Sequence, residues 1–352
     1  MSIKKTKFYS YCLNGFAQGC KYCVKGEKLV LFITGICKSN CWYCSLSDKR
    51  KEKNVVMANE RECKNIKEVI EETRESNATS AGITGGDPLV CLEKTVEYAK
   101  ALKKEFGKQF HIHIYLSTHL VDEKKLQKLS TCVDEVRFHP LFLINKNEEN
   151  NDLEKIKKGM EIFGRENTGI ELPLIPEKKK EILNFILKAK DFISFANFNE
   201  FELSETNFNT ITKNYKLKEG GYVVKGSLEA GKWILKELNK RKVKINAHVC
   251  TAELKNSCQF VNRLKRHEIL PWGRRTQDGT VIYLAIYSKN EKDFKNLKKE
   301  LKGFVDEKKK RIILPENEAK RILNKGYTIT KVEEFPTYDQ LEVESEEITW
   351  KK

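Results

Sequence analysis

Leu29-Val-Leu-Phe-Ile-Thr34, followed after two residues by Cys37-Lys-Ser-Asn-Cys41-Trp-Tyr-Cys44, decides the fold. The first six residues form a short apolar run, read as a strand buried on both faces. Downstream the pattern repeats: short apolar runs at 80–84, 111–116, 135–139, 169–173 and 192–197 alternate with amphipathic segments at 64–77, 91–106, 122–130, 151–163 and 177–190. Strands alternating with helices of this length imply a parallel sheet. Six such units imply an open, partial (β/α)6 barrel, class α/β, over residues 29–250. A helix at 228–241 and a strand at 243–250 extend it. In such barrels chemistry gathers at the carboxyl ends of the strands, which is where the three closely spaced cysteines fall.

The chain has 352 residues, enough for this barrel and a smaller appendage. Apolar residues make up 39 %, which excludes wholesale disorder. No stretch has the roughly 18 uncharged apolar residues of a membrane span, and Met1-Ser-Ile-Lys-Lys-Thr-Lys7 lacks the apolar run of a signal peptide. An intracellular, cytoplasmic chain with no membrane partner is expected. Eleven cysteines in such a chain point to metals or catalysis before disulfides. Cys63, Cys91 and Cys132 stand singly and read as small core residues. The expected organisation is a Cys-rich metal-binding extension at 1–28, the barrel, a basic segment with a small α/β appendage at 251–332, and a solvated acidic tail at 333–352.

Three thiolates at the spacing of Cys37, Cys41 and Cys44 can hold three irons of a [4Fe–4S] cluster. A zinc site would want four closed ligands. The fourth iron is then open to the amine and carboxylate of a small molecule. This spacing, with an aromatic residue before the third cysteine, resembles the radical S-adenosylmethionine (SAM) superfamily, of archaeal type and distantly similar to pyruvate formate-lyase activating enzymes. Gly85-Gly86-Asp87-Pro88, one strand later, matches the superfamily's glycine-rich element. The resemblance implies an enzyme that cleaves SAM reductively to a 5′-deoxyadenosyl radical, fed by a flavodoxin- or ferredoxin-like electron donor. It also implies Tyr43 beside the adenine, Asp87 toward the SAM ammonium, and Ser117, Thr118, Arg137 and His139 toward the ribose or carboxylate.

A second set, Cys12, Cys20 and Cys23, with Cys250 favoured over Cys258 as the fourth ligand, suggests another metal centre: structural zinc, an auxiliary iron–sulfur cluster, or thiols without metal. The substrate stays open. The net charge of +16 and the six Lys/Arg against one acid in 255–275 suit RNA, with Gln259, Arg263 and Arg266 on one helix face. The alternatives are a polypeptide, as for a glycyl-radical activase, or a small molecule held by Glu171, Glu200, Glu202 and Glu205.

Overall fold

The structure, a computed structural model, describes residues 3–323, 325 and 327–348. It divides into two compact units: 1–74 with 78–260, and 75–77 with 261–352. The first unit contains, in chain order, β1 (Ile3–Lys5), β2 (Tyr11–Leu13), α1 (Gln18–Val24), β3 (Lys28–Phe32), β4 (Val56–Ala58), β5 (Arg61–Cys63) and α2 (Ile66–Glu75). It continues with β6 (Ser80–Thr84), α3 (Leu92–Phe106), β7 (His111–Ser117), α4 (Glu123–Ser130), β8 (Glu135–His139), α5 (Glu149–Phe163), β9 (Thr168–Leu174), α6 (Lys179–Ala189), β10 (Phe195–Glu200), α7 (Phe208–Asn214), α8 (Ser227–Lys240) and β11 (Asn246–Cys250).

The strands form one sheet in the order β1-β2-β11-β10-β9-β8-β7-β6-β3-β4-β5. The run from β3 through β11 is parallel throughout, so the barrel has seven parallel strands. Antiparallel pairs extend both edges. The parallel strands are two-faced. Val136, Phe138, Ile170, Leu172, Ala196, Phe198 and Val249 face the helices and join the main core. Phe138, for one, meets α5 at Gly159, where a Cβ would lie 2.4 Å from its ring. Each large apolar side chain so buried contributes about 1.5–3 kcal/mol. The alternating residues His113, Tyr115, Glu135, Arg137, Glu171, Asn197, Asn199 and His248 turn to the interior and bond one another. A parallel sheet normally hides apolar side chains on both faces; this one keeps a polar interior.

Residues 1–28 are therefore not a separate extension. β2 pairs with β11, and α1 packs across the barrel interior, where the Gly19 N–H donates to Glu135 Oε2 at 3.0 Å. A side chain at Gly19 would strike His113 and Arg137. Of the three single cysteines, Cys63 and Cys132 are buried in the core and Cys91 packs against it.

Beyond β11 a turn of helix, α9 (Ala252–Leu254), runs into a π-helical stretch, Lys255–Phe260, that ends the first unit. The second unit holds α10 (Val261–Arg266), β12 (Arg274–Arg275), β13 (Val281–Tyr287), α11 (Glu291–Glu300), β14 (Phe304–Asp306), β15 (Arg311–Ile313), α12 (Glu316–Leu323), β16 (Ile329–Glu334) and β17 (Glu342–Ile348). Its antiparallel sheet runs β14-β15-β13-β16-β17, with β12 against β13.

Two expectations fail here. The stretch expected as a solvated acidic tail supplies β17, which pairs with β16 from Ile329↔Ile348 onward; residues 349–352 lie outside the described residues. Its first acids are not solvated either. Glu334 is buried against Arg311, with Nη2–Oε1 2.7 Å and Nη1–Oε2 2.9 Å, and Arg311 Nε reaches Asp306 at 2.7 Å. The single helix face expected to carry Gln259, Arg263 and Arg266 is also broken: the two arginines lie on α10 and Gln259 lies before it. The π-helical turn shifts the register, so Gln259 turns to Cys250 Sγ at 3.7 Å. Arg266 donates to the Asn77 carbonyl, and Arg275 to the Leu264 and His267 carbonyls. No helix among the described residues is long and apolar enough to cross a membrane. Removing one partner of a buried ion pair strands the other, so Arg311→Ala should destabilise the second unit by about 3–5 kcal/mol in urea-induced unfolding.

Candidate active site

The loop after β3 is clasped by backbone hydrogen bonds. Gly35 N–H donates to the Lys53 carbonyl at 2.7 Å and Glu52 N–H to the Gly35 carbonyl at 2.9 Å. Within it, Gly86 N–H donates to the Thr34 carbonyl at 2.7 Å and Asp87 N–H to the Ile36 carbonyl at 2.9 Å. This contact requires glycine. Gly85 has φ +148° and a Cβ there would lie 2.3 Å from the Thr34 oxygen; at Gly86 it would lie 2.5 Å from that of Ile36.

The far side of the loop is latched to the segment after β10. Ser204 and Thr206 hydroxyls donate to the Cys44 carbonyl at 3.2 and 2.9 Å, and Glu205 Oε2 accepts from Asp48 N–H at 2.7 Å. Trp42 stacks on Tyr215 and meets Phe201 and Tyr43 edge-on. Tyr43 is buried, and its hydroxyl lies 2.9 Å from His139 Nε2. His139 Nδ1 lies 3.1 Å from the Glu171 carbonyl, which can only accept. The proton is therefore on Nδ1, and Tyr43 donates to Nε2.

Cys37, Cys41 and Cys44 line one cavity of about 660 Å³ together with Tyr43, Gly85, Gly86, Ser117 and His139. The same cavity reaches Lys28, Tyr115, Glu171, Asn199, Glu200, Glu202 and Lys255. Burial pushes the Cys41 thiol up to about 12, against the pull of the Tyr43 hydroxyl. Ser39 N–H already donates to Cys37 Sγ at 3.4 Å. Among the described residues the three sulfurs do not gather within 4.8 Å of one another. A tetrahedral zinc would draw thiolates to ~3.8 Å, from Zn–S bonds of ~2.3 Å; three corners of a cubane hold them wider. The donor set, three thiols on one cavity, fits an iron–sulfur cluster.

A profile of the Radical SAM superfamily matches residues 31–189. A Methanocaldococcus jannaschii protein, provisionally named a glycyl-radical enzyme activating enzyme, is 36 % identical over 299 residues, which are 83 % of this chain and 79 % of that protein. The chain belongs to the radical SAM superfamily. Radical SAM enzymes use a [4Fe–4S] cluster and SAM, and these are its cofactors. Among solved structures, tagged anSMEcpe with bound AdoMet is 18 % identical at a TM-score of 0.40, covering 62 % of this chain and 60 % of that one. The radical SAM methyltransferase TsrM of Kitasatospora setae, with cobalamin and a [4Fe–4S] cluster bound, is 10 % identical at 0.36, over 72 % of this chain and 54 % of that one.

Four residues expected at the radical SAM site do not line the cavity. Asp87 turns inward, where Oδ1 caps the Leu89 N–H at 3.0 Å, and Pro88 is buried as the first residue of that turn. Thr118 donates to buried Asp152 at 2.5 Å. Arg137 lies deep in the strand, between Glu135 (2.6 Å) and Glu171 (3.2 Å). Of the acids, Glu171, Glu200 and Glu202 line the cavity and Glu205 serves the latch instead. Lys28, Tyr115, Asn199 and Lys255 were not expected. Lysines flanking an apolar strand or helix look like solvent-facing ends, and only closure of the barrel brings these two inside.

Burial holds His113, His139 and His248 neutral, lowering His248 from 6.5 to about 3. A histidine whose folded pKa is depressed supplies stability above its unfolded pKa and loses it as pH falls. The barrel should therefore weaken from about pH 6.5 downward, by up to ~1.4 kcal/mol per pH unit for each histidine. Unfolding free energies measured between pH 7 and 4 should show a slope shallower by one proton in His248→Gln.

Proposed function

We infer that Cys37, Cys41 and Cys44 hold the [4Fe–4S] cluster and that SAM occupies the adjoining part of the cavity, beside Tyr43, Gly85, Gly86, Ser117 and His139. The observation that carries this is the convergence of the cysteine triplet and the Gly85-Gly86 backbone on one cavity wall. A reduced cluster supplies the electron for cleavage of SAM to methionine and a 5′-deoxyadenosyl radical. The protein's own part is to hold, orient and exclude water. Glycines 85 and 86 bring bare backbone against the ligand. Ser117, bonded to Ser39 at 2.6 Å, offers a hydroxyl from the end of β7. Neutral His139 orients the Tyr43 ring from below, and the aromatic cluster of Trp42, Phe201 and Tyr215 keeps that end of the loop dry. A flavodoxin- or ferredoxin-like protein is the fitting electron donor.

The radical's target in this reading is a glycine of a partner protein. Support comes from the relative that is 36 % identical over 83 % of this chain and is provisionally named an activating enzyme. A second reading, a small polar substrate, is favoured by the charges of both signs at the rest of the cavity: Lys28, Glu171, Glu200 and Lys255.

Anaerobic protein given SAM and dithionite should release 5′-deoxyadenosine, and C37A/C41A/C44A should release none. Turnover by that variant would refute the ligand assignment. Adding a glycyl-radical enzyme from the same cell should accelerate 5′-deoxyadenosine release and yield a glycyl doublet in the EPR spectrum. Stimulation by the low-molecular-mass fraction of a cell extract, with no protein radical, would establish the small-molecule reading instead.

A further inference from the structure

Cys20 and Cys23 sit one helical turn apart on α1 and so share a face. Cys250 ends β11 with the same interior orientation as His248, two residues earlier, and packs with Val24 of α1. Glu171, which lines the cavity, acts electrostatically on both Cys20 and Cys250, and Cys23 acts on both as well.

Each of these thiols has its own positive or N–H partner. Arg137 lies beside Cys20. Lys28 is hydrogen-bonded to Cys23. Gln259 Nε2 donates to Cys250 at 3.7 Å, with Lys255 near it. Lys28 is informative because, among the described residues, no carboxylate pairs with it; its neighbours are the Cys23 sulfur and the Tyr115 hydroxyl. A cation drawn into a barrel needs an anion, and a cysteine thiolate is the one available. A neutral thiol does not supply it. A bound metal, which takes its ligands as thiolates, does.

We propose that Cys20, Cys23 and Cys250 hold a second iron–sulfur cluster inside the barrel, apart from the Cys37/Cys41/Cys44 site. Zinc is the poorer occupant. Among the described residues these sulfurs do not gather within 4.8 Å, whereas zinc would bring them to ~3.8 Å. Cys12 is outside the set: the charge that acts on it is that of Lys4, on the neighbouring strand β1. Three thiolates leave one iron for a ligand from the cavity, which Lys28 and Lys255 line.

Iron and acid-labile sulfide, counted on anaerobically reconstituted protein, test this. Wild type and Cys12→Ala should each carry about eight irons, and C37A/C41A/C44A and C20A/C23A/C250A about four each, at four per cubane. C37A/C41A/C44A should also show a cluster EPR signal after dithionite. That variant free of iron, or holding zinc in its place, overturns the proposal, as does loss of iron in Cys12→Ala. If C20A/C23A/C250A fails to fold, the Mössbauer spectrum of wild type decides: two clusters support the site and one refutes it. None of these counts depends on the substrate, so they stand or fall separately from the activating reading.

Discussion

Arg137 is a permanent cation enclosed by a barrel, and the surrounding structure is arranged to compensate it. Glu135 and Glu171 take its charge from either side. Glu171 in turn accepts from Asn197 and Asn199, at 2.8 and 2.7 Å, and Asn197 Oδ1 accepts from His248 at 2.6 Å. Since that contact makes Nδ1 the donor, His248 Nε2 accepts from the Ser10 hydroxyl at 3.1 Å. The remaining Glu135 oxygen takes the Gly19 N–H of α1. One buried guanidinium thus ties four strands, the residue before β2 and a helix together. Removing Glu135 or Glu171 leaves part of that charge without a partner and without water to solvate it, at a cost of about 3–5 kcal/mol. The position of α1, and hence of Cys20 and Cys23, follows from the same requirement.

The cysteine loop depends on different forces. It rests on backbone against backbone at Gly85 and Gly86, on hydroxyls from the segment after β10, and on aromatic stacking around Trp42. These contacts are uncharged; the one carboxylate in the latch is Glu205, which accepts from the Asp48 N–H. Its anchors come from β3, β6 and the end of β10, which spreads the loop across the strand ends instead of hanging it from one.

Local features were the legible ones. The cysteine spacing, the glycine pair and the strand–helix alternation each lie within a few residues, and each stands at the cavity or in the parallel sheet. Facing direction was harder. Arg137 and His139 share a face of β8, yet two residues of rise separate a buried ion pair from the cavity wall. Thr118 follows Ser117 directly, but the chain has already turned into a short helix that aims it at Asp152. Gln259 was misplaced because a π-helical turn cannot be counted at 3.6 residues. β1 and β2 escaped notice because strands of three residues are too short to carry a period. Their place is set by β11, more than 230 positions away in sequence.

The strand β17 has a consequence for association. It ends its sheet among the described residues, pairs only with β16, and carries Glu342, Glu344, Glu346 and Glu347, with nearly all its side chains exposed. An unpaired sheet edge is a template onto which another chain can add a strand. Here a newcomer of the same sequence would bring a second row of carboxylates against the first, and their repulsion would oppose backbone pairing. The edge discriminates by charge: closed to a copy of itself, it stays open to a lysine-rich segment, and acidification would remove that selectivity.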